Sequence, residues 1–153
     1  LPCQVDPDTI PSDLHPLAPV AAEYNRRVVH YVEDNETNVE VMRGILAQRP
    51  QVDLDVSITG LDALAAIRAR RPDLILLDMH LPDISGMELL LHFKADAGLA
   101  SIPVVVVSAD ALAPQVDAAF AAGCAHYLTK PVNVAELLKV VDELLERLET
   151  RFD

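Results

Sequence analysis

The sequence predicts an α/β protein in which an open parallel sheet lies between two layers of helices. Three observations carry that prediction. Asp73-Leu74-Ile75-Leu76-Leu77-Asp78 is an apolar run closed by a carboxylate, the pattern of a central strand covered on both faces. From about residue 26 onward, strand-like and helical segments alternate without a break, which builds consecutive right-handed βαβ crossovers. Hydrophobic residues make up 51% of the chain and aromatics only 4%, so the core is one of Leu, Val, Ile and Ala packing. At 153 residues the chain is expected to form one domain with a substantial core.

Residues 1–25 stand apart from the rest. Pro2, Pro7, Pro11, Pro16 and Pro19 interrupt them and the apolar positions show no period. They are expected to be a partly disordered linker, with the folded domain spanning 26–153.

The first strand, Arg27-Val28-Val29-His30-Tyr31-Val32, runs into Glu33-Asp34. Asn35 is placed to cap a helix through about Gln48, with Val39, Met42, Ile45 and Leu46 facing inward and Pro50 ending it. A less apolar strand near Leu54–Ile58 is expected closer to an edge. The helix about Leu61–Arg70 stops before Pro72. After the Asp78 strand and a loop, Ser85-Gly86-Met87-Glu88 fits a capping box opening a helix through about Ala95. Pro103-Val104-Val105-Val106-Val107 leads into Ser108. Pro114 suits the first turn of the next helix and Gly123 its end. The strand Ala125-His126-Tyr127-Leu128-Thr129 delivers Lys130-Pro131. Asn133 and Glu136 open the last helix, where Val134, Leu137, Leu138, Val141, Leu144, Leu145 and Leu148 repeat at helical spacing.

The charge balance narrows the partners. A formal net charge of −12 argues against nucleic acid, whose phosphates would repel the chain, but does not exclude a divalent cation or a basic partner. Cys3 and Cys124 lie far apart with no C-x-x-C spacing, so a reduced, cytoplasmic protein is the simpler account. No apolar stretch approaches the roughly 18 residues of a membrane span, and no signal sequence opens the chain. Direct membrane contact is therefore not expected. The first residue is Leu rather than Met, which suggests a fragment or a processed chain.

In a sheet of this kind ligands gather outside the carboxyl ends of the strands. Glu33, Asp34, Asp78, Ser108 and Lys130 all fall there. Three carboxylates, a hydroxyl and an ammonium suit a phosphoryl and metal site. Carboxylates within ~4–6 Å raise one another's proton affinity unless a cation neutralises them, and hard oxygen ligands suit Mg²⁺. Each residue alone has a plainer reading. Asp78 could cap a turn, Glu33-Asp34 could be a polar loop, Lys130 a surface lysine, and Ser108 the cap of the next helix. Their joint occurrence at matching strand ends favours the chemical reading.

Taken in order, Val32-Glu33-Asp34-Asn35, Leu77-Asp78-Met79-His80-Leu81-Pro82-Asp83-Ile84-Ser85-Gly86, Val107-Ser108-Ala109 and Leu128-Thr129-Lys130-Pro131 closely resemble the receiver domain of two-component response regulators. The resemblance spans about Arg27 to Leu148. It implies a flavodoxin-like, doubly wound five-stranded parallel sheet of order 2-1-3-4-5, with helices on both faces. It further implies that Asp34, Asp78 and the backbone carbonyl of His80 bind Mg²⁺, or Mn²⁺ in its place, while Glu33 orients a coordinated water. Asp78 would then be the nucleophile that becomes an aspartyl phosphate, with Lys130 and the metal neutralising the phosphoryl oxygens. Ser108 would donate to a phosphoryl oxygen, and Tyr127 would rotate inward behind it as a switch. The readout surface would be the fourth helix, last strand and last helix. The Lys130-Pro131 peptide bond would be cis, and the partner a histidine kinase or a histidine phosphotransfer domain. Such a domain catalyses only its own phosphorylation and dephosphorylation.

Tyr127 reads equally as a core aromatic. His80 and Asp110, two residues beyond Asp78 and Ser108, would tune how fast water attacks the aspartyl phosphate, or else be plain loop residues. His15, His30, His92 and His126 show no metal-ligand spacing and are expected to be structural. Arg68, Arg70 and Arg71 are expected to form a solvated helix end.

Two other classes fit less well. A haloacid-dehalogenase-like phosphatase would need a second Asp two residues beyond the nucleophile, where this chain has His80. A dinucleotide-binding protein would need G-x-G-x-x-G after the first strand, which is not there. A degenerate receiver used only as a scaffold would have lost a site residue, and none is missing. The Pro-rich leader and the missing initiator Met suggest the C-terminal receiver of a hybrid histidine kinase, tethered where that parent is membrane-bound. A stand-alone, single-domain response regulator is the alternative.

Overall fold

The computed structural model describes the backbone of residues 26–151 and the side chains of residues 26–147. The expected linker over 1–25, with Cys3 and His15, and the side chain of Leu148 lie outside the described residues. Among the described residues, five strands and five helices alternate: β1 Arg27–Val32, α1 Glu36–Leu46, β2 Val52–Ser57, α2 Gly60–Ala69, β3 Leu74–Leu77, α3 Gly86–Ala95, β4 Val104–Ser108, α4 Ala113–Ala121, β5 His126–Thr129 and α5 Val134–Arg151. The sheet is parallel throughout, in the order β2-β1-β3-β4-β5. This is the doubly wound order that the resemblance implies.

Side-chain alternation divides the core into two layers. Leu74 and Leu76 of β3 face α1 and α5, together with Val29, Tyr31, Val105 and Val107. Ile75 and Leu77 face α2 and α3, together with Val32, Val104 and Val106. A strand flanked on both faces needs apolar residues at every position, which is why β3 and β4 read as unbroken hydrophobic runs.

Three helix starts follow the expected capping chemistry. Asn35 Oδ1 accepts from Asn38 N–H at 2.9 Å, Ser85 Oγ from Glu88 N–H at 3.1 Å, and Asn133 Oδ1 from Glu136 N–H at 2.9 Å. Caps of this kind contribute about 1 kcal/mol each. Pro114 sits in the first turn of α4, and Gly123 follows its end at φ 110°.

The boundaries shift in three places. β2 starts at Val52 and ends at Ser57, leaving Ile58 outside the strand and exposed. Its alternate positions are Asp53 and Asp55, so its apolar signal is diluted at the start. α1 ends at Leu46, short of Gln48, and α2 begins at Gly60 behind a Thr59 cap. The arginine cluster is exposed, as expected of a solvated helix end, and its members also find polar partners. Arg70 bridges Asp53 and Asp55, Arg68 pairs with Asp96, and Arg71 donates to Gly98 O and Ser101 Oγ. These partners lie 15 to 30 residues away in sequence, where local pattern says nothing about them.

Among the described residues, no helix is long and apolar enough to cross a membrane.

Candidate functional site

The site is assembled by strand register. β1 and β3 are neighbours with Val32 opposite Leu77, and Asp78 N–H donates to Val32 O at 3.1 Å. Glu33, Asp34 and Asp78 therefore leave the sheet side by side. β5 lies against β4 with Ser108 opposite Thr129, and Lys130 N–H donates to Ser108 O at 2.8 Å. The Lys130-Pro131 peptide bond that follows is cis. The β3–α3 connection also comes close. A Cβ on Gly86 would stand 2.4 Å from Asp78 O and 2.5 Å from Met79 Cα, so only glycine lets α3 start against the end of β3.

Carboxylate oxygens of Glu33, Asp34 and Asp78 lie within 4.8 Å of one another. Glu33 and Asp78 are 1% and 3% exposed, whereas Asp34 is open to solvent. Lys130 Nζ sits 2.6 Å from Glu33 Oε1 and 3.6 Å from Asp78 Oδ1. Glu33 also accepts from Tyr31 Oη at 3.0 Å, Asn38 Nδ2 at 3.2 Å and Asn35 N–H at 3.2 Å.

These surroundings drive the two buried carboxyls apart. Burial, and then the charge of Glu33, push Asp78 up to about 6, with Lys130 opposing the shift. Burial works in the same direction on Glu33, but its hydrogen bonds, led by that from Lys130, outweigh it and hold the carboxyl below its ordinary value. Three carboxylates facing one ammonium leave surplus negative charge. The donor set is all hard oxygen, partly open on the Asp34 side, and fits a divalent cation such as Mg²⁺.

The remaining predicted residues fall around this cluster. His80 N–H donates to Asp78 Oδ1 at 3.3 Å, while its side chain is exposed. Ser108 is fully buried, and its Oγ accepts from Asp110 N–H at 3.1 Å. It does not cap α4, whose N-cap Leu112 has no side-chain hydrogen bond. Tyr127 Oη donates to Asp110 O at 2.6 Å. Ser108 and Tyr127 are thus joined through the main chain of one residue, Asp110, in the β4–α4 loop.

Sequence reasoning missed Tyr31 and Asn38 as partners of Glu33. Tyr31 stands two residues before Glu33, and alternate residues of a strand share a face, so that signal was present. Other candidates stay apart. His30 is buried with Nε2 2.7 Å from Ser57 Oγ, and burial lowers its pKa. Cys124 is a buried thiol pushed up to about 11 by burial, the mark of an unreactive cysteine.

Known proteins carry the same arrangement of elements. Residues 29–142 match the family described as response regulator receiver domain. The chain is 35% identical over 117 residues to the polar-differentiation response regulator DivK of Brucella anthropi, covering 76% of this chain and 94% of DivK. The structure is similar to the phosphorylated cyanobacterial phytochrome response regulator RcpA, with TM-score 0.69 and 31% identity over 79% of this chain and 92% of that one. It is also similar to the receiver domain of the sensor histidine kinase PA1611 of Pseudomonas aeruginosa, solved with a magnesium ion coordinated in its active-site cleft. That match has TM-score 0.72 and 26% identity over 79% of this chain and 98% of that one.

Proposed function

The chain belongs to the response regulator receiver family, and from that premise we propose that Asp78 accepts a phosphoryl group from a phosphohistidine. The observation that carries this is the crowding of Glu33, Asp34 and Asp78 within 4.8 Å, with Lys130 Nζ 3.6 Å from Asp78. An Asp78 oxygen forms a bond to phosphorus as the phosphorus–nitrogen bond of the donor breaks, and the electron pair leaves on the imidazole nitrogen.

The residues of the chain divide this work. Asp34, Asp78 and the main-chain oxygen of His80 would hold Mg²⁺, for which Mn²⁺ can substitute, and Glu33 would orient a metal-bound water. When bound, the ion supplies positive charge to the transferring phosphoryl oxygens. Lys130 supplies a second positive charge, moving from Glu33 towards a phosphoryl oxygen. Ser108 Oγ accepts from Asp110, so its own proton is free to be donated to the phosphoryl group. Drawing Ser108 towards the phosphate pulls on Asp110, whose carbonyl Tyr127 holds. Tyr127 therefore reports the event to the surface of α4, β5 and α5. The side chain of His80 and residue Asp110 would set how fast water hydrolyses the acyl phosphate.

A histidine kinase or a histidine phosphotransfer domain is the proposed donor. Beside Lys130, a cleft of about 170 Å³ lined by Val41, Met42, Ile45, Pro131 and Val132 suits an apolar side chain from a helical partner. The net charge of −12 argues against nucleic acid. A cytoplasmic location and no direct membrane contact belong to the same reading. Residues 1–25 are read as a linker to a hybrid histidine kinase. A stand-alone regulator is the second reading, favoured by the 94% coverage of DivK.

Incubation with Mg²⁺ and acetyl phosphate should add one acid-stable, base-labile phosphoryl group, read by intact mass. Absence of any labelling would refute the assignment.

A further inference from the structure

The β3–α3 loop carries His80, and it is tied down by a residue the phosphoryl chemistry does not use. Asp83 Oδ1 accepts from Gly60 N–H and Asp83 Oδ2 from Leu61 N–H, each at 2.8 Å. Those amides open α2, where helical N–H groups have no intrahelical partner and a negative charge is favoured. The two amides hold the Asp83 carboxyl below its ordinary value. α2 already has a local cap, because Thr59 Oγ1 accepts from Asp62 N–H at 3.1 Å. The Asp83 bonds are different in kind, since they join the helix to a loop 22 and 23 residues on.

The contact is close. A Cβ on Gly60 would stand 2.5 Å from Ile84 Cγ1, so any larger residue there would displace the Ile84 side chain from α2. At the other end of the loop, Gly86 N–H donates to Met79 O at 3.0 Å. His80 lies between these two anchors, with its N–H on Asp78 Oδ1.

We propose that Asp83 is a positioning residue. By holding the β3–α3 loop on the first two amides of α2, it presets the His80 backbone, and through it Asp78, for metal binding and phosphoryl transfer. Asp83 itself touches neither ion nor phosphate. The inference rests on the phosphoacceptor reading of the same site.

Thr59 provides the control, because Thr59→Ala removes a cap from the same helix without freeing the loop. The test compares wild type, Thr59→Ala, Asp83→Ala and Asp83→Asn. Thermal unfolding reports helix capping, calorimetric titration reports Mg²⁺ affinity, and intact mass reports labelling by acetyl phosphate. Both alanine variants should melt earlier. Only Asp83→Ala should weaken Mg²⁺ binding, by about tenfold, the low end of the cost of losing a group that orients a metal ligand. Its labelling at limiting Mg²⁺ should slow in step. Asp83→Asn has one amide oxygen for two donors and should fall between, which keeps the test decisive even where Asp83→Ala folds poorly. Unchanged Mg²⁺ affinity in both Asp83 variants, or an equal loss in Thr59→Ala, would reduce Asp83 to a helix cap. A wild-type domain that neither binds Mg²⁺ nor accepts phosphate would overturn the phosphoacceptor reading as well.

Discussion

The centre and the edge of the sheet use the same side chain in opposite ways. On edge strand β2, Asp53 lies between Arg26 and Arg70, and Asp55 pairs with Arg70. Hydrogen bonding from Arg26 comes first among the causes that hold Asp53 below its ordinary pKa. At the centre, Glu33, Asp34 and Asp78 meet with Lys130 as their cation, and Asp78 is pushed up to about 6. Carboxylates neutralised where they stand serve the fold and keep an exposed strand edge charged. Carboxylates gathered in excess of their counter-charge cost stability, and groups perturbed in this way cluster at functional sites. The difference separates structural from chemical acids more cleanly than burial does.

The largest effect should come from removing the central cation. Lys130→Met leaves Glu33 buried without its ammonium and deprives the phosphoryl oxygens of a fixed charge. Labelling by acetyl phosphate should slow by about 10²–10³-fold, the scale of losing one preorganised electrostatic partner. A rate within a few-fold of wild type would remove Lys130 from the chemistry.

Asp34→Ala comes next. Losing a proposed direct ligand should weaken Mg²⁺ binding at least as much as the ~10–100-fold cost of losing a supporting partner, and more than Glu33→Ala does. Without metal, the melting temperature of Asp34→Ala should not fall, because the change relieves like-charge repulsion. A clear drop in the metal-free melting temperature would contradict the crowding argument.

Opposite pKa shifts predict opposite pH dependences. Asp78 is raised from 3.8 to about 6, so the folded metal-free state binds its proton more tightly than the unfolded chain. That contribution to stability is complete below the unfolded value and is lost as pH rises towards 6. Asp53 and Asp83 are lowered from 3.8, so their contributions are present above that value and fade as pH falls below it. Glu33 and His30 are lowered as well and oppose this trend, so the test is a difference: between pH 4 and 6 the metal-free wild type should lose stability relative to Asp78→Asn in chemical unfolding. Parallel pH profiles for the two proteins would remove Asp78 as the source.

The smallest effect belongs to the edge. Arg70→Ala breaks both exposed bridges to β2 and should cost less than about 1 kcal/mol, with Mg²⁺ affinity untouched. A larger loss in urea unfolding would mean the edge network acts as more than surface charge.

The legibility of the sequence follows the same division. β3 and β4 were readable because burial on both faces demands unbroken apolar runs, and the meeting of Glu33, Asp34 and Asp78 was readable because β1 and β3 each run straight into carboxylates. β2 was less so, since Asp53 and Asp55 alternate with its apolar positions. The partners of Arg68, Arg70 and Arg71 were not readable at all, because each bond crosses the fold. Tyr31 is the instructive omission. Its ring is buried in the core, and its hydroxyl also reaches Glu33. Burial explains its ring and leaves the polar tip unaccounted for. The link from Ser108 through Asp110 to Tyr127 was hidden for a different reason, since it runs through the main-chain N–H and carbonyl of Asp110.

The central claim is that Asp78 is the acceptor. Intact-mass measurement of wild type and Asp78→Asn after incubation with Mg²⁺ and acetyl phosphate tests it most directly. Wild type should gain a single phosphoryl group that is lost in base, and Asp78→Asn should gain none while keeping a cooperative unfolding transition. Equal labelling of the two proteins would contradict the account.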